Sequence, residues 1–271
     1  MARRLSDGRL HLQHGPIDLV ILGTEDEYER ATQRFGTVLE ELLQELALLR
    51  TPVGDAYPLA CGTVARRMVA AVWPHRAVFI TPMAAVAGAV ADEILEAMQP
   101  SGKAYVNNGG DIAVHLPRGA TFAAGIVNDP QRPMVDATIR LEESCGIATS
   151  GWHGRSQSLG IADAVTVVAR NGAEADAAAT LIANAVNAEH PAIRRLPARA
   201  VKEDSDLGEL AVTVEVGPLP SHIVRAALAA GVKVADTMRA RGLIRAAYLA
   251  LQNQTTAVIP AVHFPSQRRS P

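Results

Sequence analysis

Aromatic residues make up only 4% of this 271-residue chain, with four phenylalanines, four tyrosines and two tryptophans. Its core must therefore be filled by Ala, Val, Leu and Ile, small side chains that let helices and sheets approach closely. Cys61 and Cys145, the only two cysteines, are too few for a tetrahedral thiolate site or a disulfide framework. Excess positive charge is missing as well. The formal charge of −2 gives no long-range attraction to nucleic acid or anionic lipid. The pairs Arg3-Arg4, Arg66-Arg67 and Arg268-Arg269 are not interleaved with aromatics and read as solvated surface. No apolar run is long enough to span a bilayer, since the Ala-rich stretch from Met83 to Ala91 is cut short by Asp92 and Glu93. Nor does the N-terminus carry the apolar segment of a secretory leader. These absences argue against nucleic-acid and membrane partners, and they make the cytoplasm the expected compartment.

What is present is a 48% hydrophobic, 20% charged composition, that of a globular protein with a sizeable core. The expected organisation is one domain over 1–271, or two intimately packed lobes, with a flexible tail at 265–271. His11–His14 and Ile17–Leu22 flank Gly15-Pro16 as a hairpin. Phe35, Leu39, Leu42, Leu43, Leu46 and Leu49 recur at threes and fours and predict a helix from Glu25 to Leu49. A shorter helix is expected over 63–72. Thr81-Pro82 resembles a cap with proline in the first turn, so a third helix should run to about Met98. Beyond it the period shortens. Strands are expected at 103–106, 111–116, 121–127, 136–141, 145–149 and 164–168, a helix at 173–186 and a strand at 210–216. Helices are read at 222–230 and, interrupted by Gly242, at 234–251. Consecutive strands with helices grouped around them favour an α+β layered fold with mixed or antiparallel sheets and packed helices.

Three short stretches carry chemistry. Asn107-Asn108-Gly109-Gly110-Asp111 follows a short strand, and its glycines expose backbone N–H groups that suit phosphate or polar ring atoms. Thr149-Ser150-Gly151 ends another strand with hydroxyls and a glycine, a phosphate cradle or a simple strand-ending turn. His153 and Arg155 follow at once, one able to transfer a proton or stack, the other to neutralise a diphosphate. Asp163 either faces the same pocket or caps a strand. The third stretch holds Asp176 and Thr180, four residues apart and hence on one helical face. An anionic and a neutral oxygen suit magnesium, with water and phosphate completing its shell. The bland alternatives are a glycine turn, a strand end and a solvated helix face.

The order Asn-Asn-Gly-Gly-Asp-Ile, Ala-Thr-Ser-Gly, Asp-Ala-Val-Thr-Val-Val-Ala and Ala-Asp-Ala-Ala-Ala-Thr resembles the ApbE-like superfamily of FAD:protein FMN transferases. With the run Ala84–Asp92 and with Gly154-Arg155-Ser156, the nearer likeness is to the uncharacterised UPF0280 branch. The resemblance is best from about 81 to 187. It implies an ApbE-like fold with a flavin pocket between its lobes, FAD or FMN as cofactor, Mg2+ at Asp176 and Thr180, and a protein threonine as acceptor. Asn108, Gly109, Gly110 and Asp111 match the flavin-side loop, and Ser150 and Gly151 another pocket-lining turn; the adjoining Asn107 and Thr149 complete the candidate cofactor-binding set. Asp163, His153 and Arg155 are the candidate catalytic residues. The chain departs from the transferases between the Thr-Ser-Gly turn and the Val-Thr-Val strand. There the compact segment 154–163 replaces an extended His-Ile-Ile-Asp-Pro-x-Thr-Gly motif. The expectation is thus a flavin- or phosphorylated-cofactor-binding protein that is either a magnesium-dependent transferase or a non-catalytic binding or assembly module, with a homo-oligomer left open.

Overall fold

Alternating apolar residues at Leu10, Leu12, Ile17, Leu19 and Ile21, all buried, fold the N-terminal segment into the first hairpin of a large sheet. In the computed structural model, which describes residues 1–129, 132 and 134–259, β1 (Ala2–Arg4) and β2 (Leu10–His14) pair antiparallel, as do β2 and β3 (Ile17–Leu22). The tail expected at 265–271 lies outside the described residues. α1 (Glu25–Gln44) buries Tyr28, Ala31, Phe35, Val38 and Leu42 along one stripe. Its first turn is held by Glu27, which accepts a 2.7 Å hydrogen bond from the Thr24 N–H.

The helix expected to reach Leu49 instead breaks at Glu45, and α2 (Leu46–Leu49) is a separate turn. The reason is tertiary. The Glu45 carboxylate accepts from the N–H groups of Cys61 and Gly62, at 2.7 and 2.6 Å, just ahead of α3 (Thr63–Val72). Pro82 opens a 3₁₀ turn over Pro82–Ala85, from which α4 (Val86–Met98) continues.

The remaining strands and helices are β4 (Ala104–Asn108), β5 (Asp111–His115), β6 (Phe122–Ile126), β7 (Ala137–Leu141), β8 (Cys145–Ser150), β9 (Ala164–Ala169), α5 (Gly172–Ala185), β10 (Ile193–Pro197), α6 (Ala198–Val201), β11 (Ala211–Val216), α7 (Ser221–Ala240), β12 (Ala246–Leu251) and β13 (Gln254–Val258). A nine-stranded sheet runs in the order β1-β2-β3-β4-β5-β8-β9-β12-β13, antiparallel throughout. β6–β7 and β10–β11 are separate hairpin-like pairs. The architecture is α+β, and its sheets are antiparallel.

Both faces of the sheet are covered. Ala113, Ala148, Val165, Val167 and Leu249 point into the core shared with α4, α5 and α7. Val114, Cys145, Ile147 and Val168 point the other way, against Ala124 and Leu141 of the β6–β7 pair. Strands buried on both faces lose the alternation that marks a half-exposed strand. That explains the correction at the C-terminal end. Residues 234–251 are not one interrupted helix: α7 is continuous from Ser221 through Ala240, Gly242 at φ +72° terminates it, and Ala246–Leu251 form β12 between β9 and β13.

The scarcity of large side chains has its structural use where α4 crosses α5. A Cβ on Gly88 would lie 2.1 Å from the carbonyl oxygen of Gly172, so the two backbones touch there. Ala175, Ala177, Ala178 and Ala179 are fully buried in α5, which packs on β8 and β9.

Candidate functional site

The crossing of α4 and α5 leaves two helix N-termini beside each other, each with N–H groups that lack an intrahelical acceptor. Each helix supplies the other with a carboxylate. Asp92 of α4 accepts from the N–H groups of Gly172 and Ala173, both at 2.8 Å, while Asp176 of α5 accepts from the Gly88 N–H at 3.1 Å. Both carboxyls are half-buried, and burial raises the pKa of each. That of Asp92 is pushed up to about 6 against the pull of its two N–H donors. That of Asp176 is pushed well above the carboxylate range, by burial first and by the negative charge of Asp111 second.

Asp111 enters from the sheet. Gly109 and Gly110, at φ +65° and +116°, make the two-residue turn that joins Asn108 to Asp111 across the β4–β5 ladder. Asn107 accepts from the Gly110 N–H at 2.8 Å, and buried Asn108 donates to the Ala87 carbonyl at 3.1 Å, tying the turn to the start of α4. Asp111 accepts a 3.2 Å hydrogen bond from the Thr149 N–H. Burial pushes its pKa up to about 7, opposed by that N–H and by the nearby Arg155. The Arg155 guanidinium lies across Gly109, where a Cβ would come within 1.6 Å of its Nη2, so a side chain there would strain the backbone and push the guanidinium aside.

Asp111, Asp176, Thr180 and Arg155 all line one cleft of about 220 Å3 on the helix side of the sheet. Its roof is the segment 202–207. Three bonds hold that roof down, from Thr81 to Asp206 at 2.5 Å, from Ser205 to Gln157 at 2.5 Å, and from Arg50 to Asp204 at 2.8 Å. The roof residues and Gln157 gave no signal in the sequence, because their role rests on contacts across 48 to 154 residues of chain. The small side chains of 83–91 make room for the α4–α5 crossing.

Two carboxyls whose charges repel resist being ionised together, and a hard cation between them would relieve that repulsion. The donors fit such an ion, since Asp111, Asp176 and Thr180 offer only oxygen. Among the described residues no three His, Cys, Asp or Glu side chains cluster tightly enough to enclose a metal alone. Part of any shell must come from water or ligand.

The other expected site residues do not line this cleft. Ser150 ends β8, and Thr149 pairs its hydroxyl with that of Thr166 at 2.8 Å on the sheet's opposite face. Gly151 packs on the Asp163 carbonyl. His153 and Asp163 do not reach the cleft. They line a larger cavity, of about 700 Å3, that adjoins the β6–β7 pair. The candidate catalytic trio is thereby divided, with Arg155 on one side of the sheet and His153 and Asp163 on the other.

A family model described as "AbpE bacteria" matches residues 2–257. The chain belongs to this ApbE-like family. Its sequence relatives are UPF0280 proteins. That of Methanopyrus kandleri is 38% identical over 139 residues, covering 50% of this chain and 56% of the relative. That of Methanothrix thermoacetophila is 41% identical over 113 residues, covering 40% and 46%, so the chain spans about half the length of these two relatives. The Archaeoglobus fulgidus protein is 32% identical over 184 residues, covering 66% of this chain and 75% of the relative, which places the ApbE-like chain among the UPF0280 proteins. Among solved structures, a mutant form of the flavin transferase ApbE from Vibrio cholerae aligns over 96% of each chain with a TM-score of 0.47 and 11% identity. No helix among the described residues is long and apolar enough to cross a membrane.

Proposed function

We propose that the helix-side cleft binds a phosphorylated cofactor, FMN or FAD, together with Mg2+. The observation that carries this reading is the convergence of Asp111, Asp176, Thr180 and Arg155 on one small cleft. Asp176 and Thr180, one turn apart on α5, would hold the ion together with Asp111. Arg155 neutralises phosphate, and the Gly109–Gly110 turn lets the ligand approach the backbone. The bound ion would supply Lewis-acid polarisation of a phosphoryl oxygen. In the enzymatic form of this reading, a threonine hydroxyl of a protein acceptor attacks the FMN phosphorus of FAD. A new P–O bond forms, the diphosphate bond to AMP breaks, and the hydroxyl proton passes to solvent. Arg155 offsets charge on the departing AMP.

The size of the cleft and the compact 154–163 segment favour a second, non-catalytic form, in which a mononucleotide-sized ligand is held without transfer. One experiment separates them. The protein is titrated with FMN and FAD, with and without Mg2+, and AMP release and covalent flavin are followed by mass spectrometry. Magnesium-dependent binding with AMP release supports transfer, and binding without AMP supports the holding role. Absence of saturable binding of either flavin overturns both.

A further inference from the structure

The larger cavity, on the opposite face of the sheet, has walls of a different chemistry. Its volume of about 700 Å3 lies in the range that accommodates drug-sized organic molecules. One wall is aromatic: the rings of Trp152 and His153 lie 3.8 Å apart between centroids and are tilted by 35°. Asp163 fixes that wall, because its Oδ1 accepts from the Trp152 indole N–H at 3.2 Å and sits 3.6 Å from the His153 Nε2. Its Oδ2 accepts from the Gln252 N–H at 2.6 Å. Each carboxylate oxygen thus makes one directed bond and keeps a further lone pair, and the side chain remains 21% exposed.

A second wall, bonded to the first through Asp163, is a tight hairpin turn. Gln252 and Asn253, the two-residue turn between β12 and β13, both have left-handed φ values, +46° and +63°. Gln252 is kept there by three groups: besides Asp163, its side chain accepts from the Leu219 N–H at 2.9 Å and donates to the Gly217 carbonyl at 2.7 Å. Left-handed φ at both central residues is the ordinary geometry of a two-residue hairpin turn, and these bonds fix the turn in place beside the cavity. The charge is one-sided. Among the described residues, three carboxylates, Asp129, Asp136 and Asp163, line the cavity with one guanidinium, Arg132, which pairs with Asp129 at 3.0 Å. Phosphate is repelled by such a lining. A neutral aliphatic molecule leaves the ring faces and the carboxylate unused. A flat cation uses both, by cation–π attraction at the indole and a charge-assisted hydrogen bond at Asp163.

We propose that this cavity is a second binding site, for a planar organic cation of the aromatic amidine or protonated nitrogen-base class. It does not depend on the cleft across the sheet or on the flavin reading.

The test uses the full chain and three probes that share a benzene ring: benzamidine, the neutral benzamide and the anion benzoate. Binding is read from ligand NMR and from Trp152 fluorescence in a Trp73→Phe background, which leaves Trp152 as the sole tryptophan. Benzamidine should bind saturably and perturb Trp152, benzamide at least about tenfold more weakly, and benzoate not at all. Asp163→Asn should weaken benzamidine by about tenfold. Thr255→Arg, at an exposed position on the cavity wall, should abolish binding without loss of fold by placing a competing cation at the mouth. Asp176→Asn should leave benzamidine unaffected. The proposal fails if benzoate binds as well as benzamidine, or if benzamidine shows no saturation up to about 10 mM. It fails equally if the folded Thr255→Arg protein binds it as before, or if Asp176→Asn removes the binding.

Discussion

The two cavities flank the same end of one sheet, yet they handle acidic groups in opposite ways. In the helix-side cleft, Asp111 and Asp176 are pressed together under α4 and α5, and burial drives both toward the neutral form. Across the sheet, Asp163 is partly exposed and is bonded to an indole and a backbone N–H of its own walls. The segment 151–157 serves both sides, sending Trp152 and His153 one way and Arg155 and Gln157 the other. The difference is one of mutual repulsion against local satisfaction. A strained carboxyl pair invites a cation that binds to both members, whereas a satisfied carboxylate beside an aromatic face selects a ligand by shape and sign.

The strongest way to break this contrast is to spoil the α4–α5 contact. Gly88→Val sets side-chain carbon against the Gly172 backbone, which cannot give way like a flexible side chain, so stability should fall by about 3 kcal/mol, read from urea midpoints. Next comes Asp176→Asn. It should weaken magnesium-dependent flavin binding by about 100-fold, near 2.7 kcal/mol, and leave the cavity across the sheet untouched. Unaltered flavin affinity in that variant would remove Asp176 from the ligand set.

The third prediction concerns pH. The folded-state pKa of Asp92, about 6, exceeds its ordinary value of 3.8, so the folded protein holds this proton more tightly than the unfolded chain. Its favourable contribution is complete below pH 3.8 and is lost as pH rises through about 6. Asp92→Asn should remove about 2 kcal/mol of pH dependence from the window between pH 4 and 7, visible as a flatter plot of unfolding free energy. The smallest effect belongs to Arg155→Ala. Flavin affinity should drop by about tenfold, with benzamidine binding unchanged, which tests whether the two faces of the shared turn act separately.

Much of this arrangement was legible in local patterns. The two-residue turn at Gly109-Gly110 announced itself because only glycine takes such backbone angles easily, whereas the equivalent turn at Gln252-Asn253 did not. Its left-handed shape follows from the two-residue hairpin register, and it is held by Asp163 and by the bonds of the Gln252 side chain to 217 and 219. β12 was hidden for another reason: Ala247, Leu249, Ala250 and Leu251 are all buried, so its pattern passes equally for a core helix. β1, β10 and β13 were also unread, each being a short run without strong alternation. Glu45 belonged to a periodic helix by every local sign until α3 needed its carboxylate.

The sequence alone determined the α+β character, the Asp176–Thr180 face and the glycine turn before Asp111, because spacing and backbone freedom are properties of neighbouring residues. Only the tertiary structure decided that Asp111 faces Asp176, and that Arg155 parts from His153 and Asp163. It also decided that the 202–207 segment covers the cleft. Those outcomes depend on which side of the sheet each chain segment packs against, and packing is settled by contacts between residues far apart in the chain.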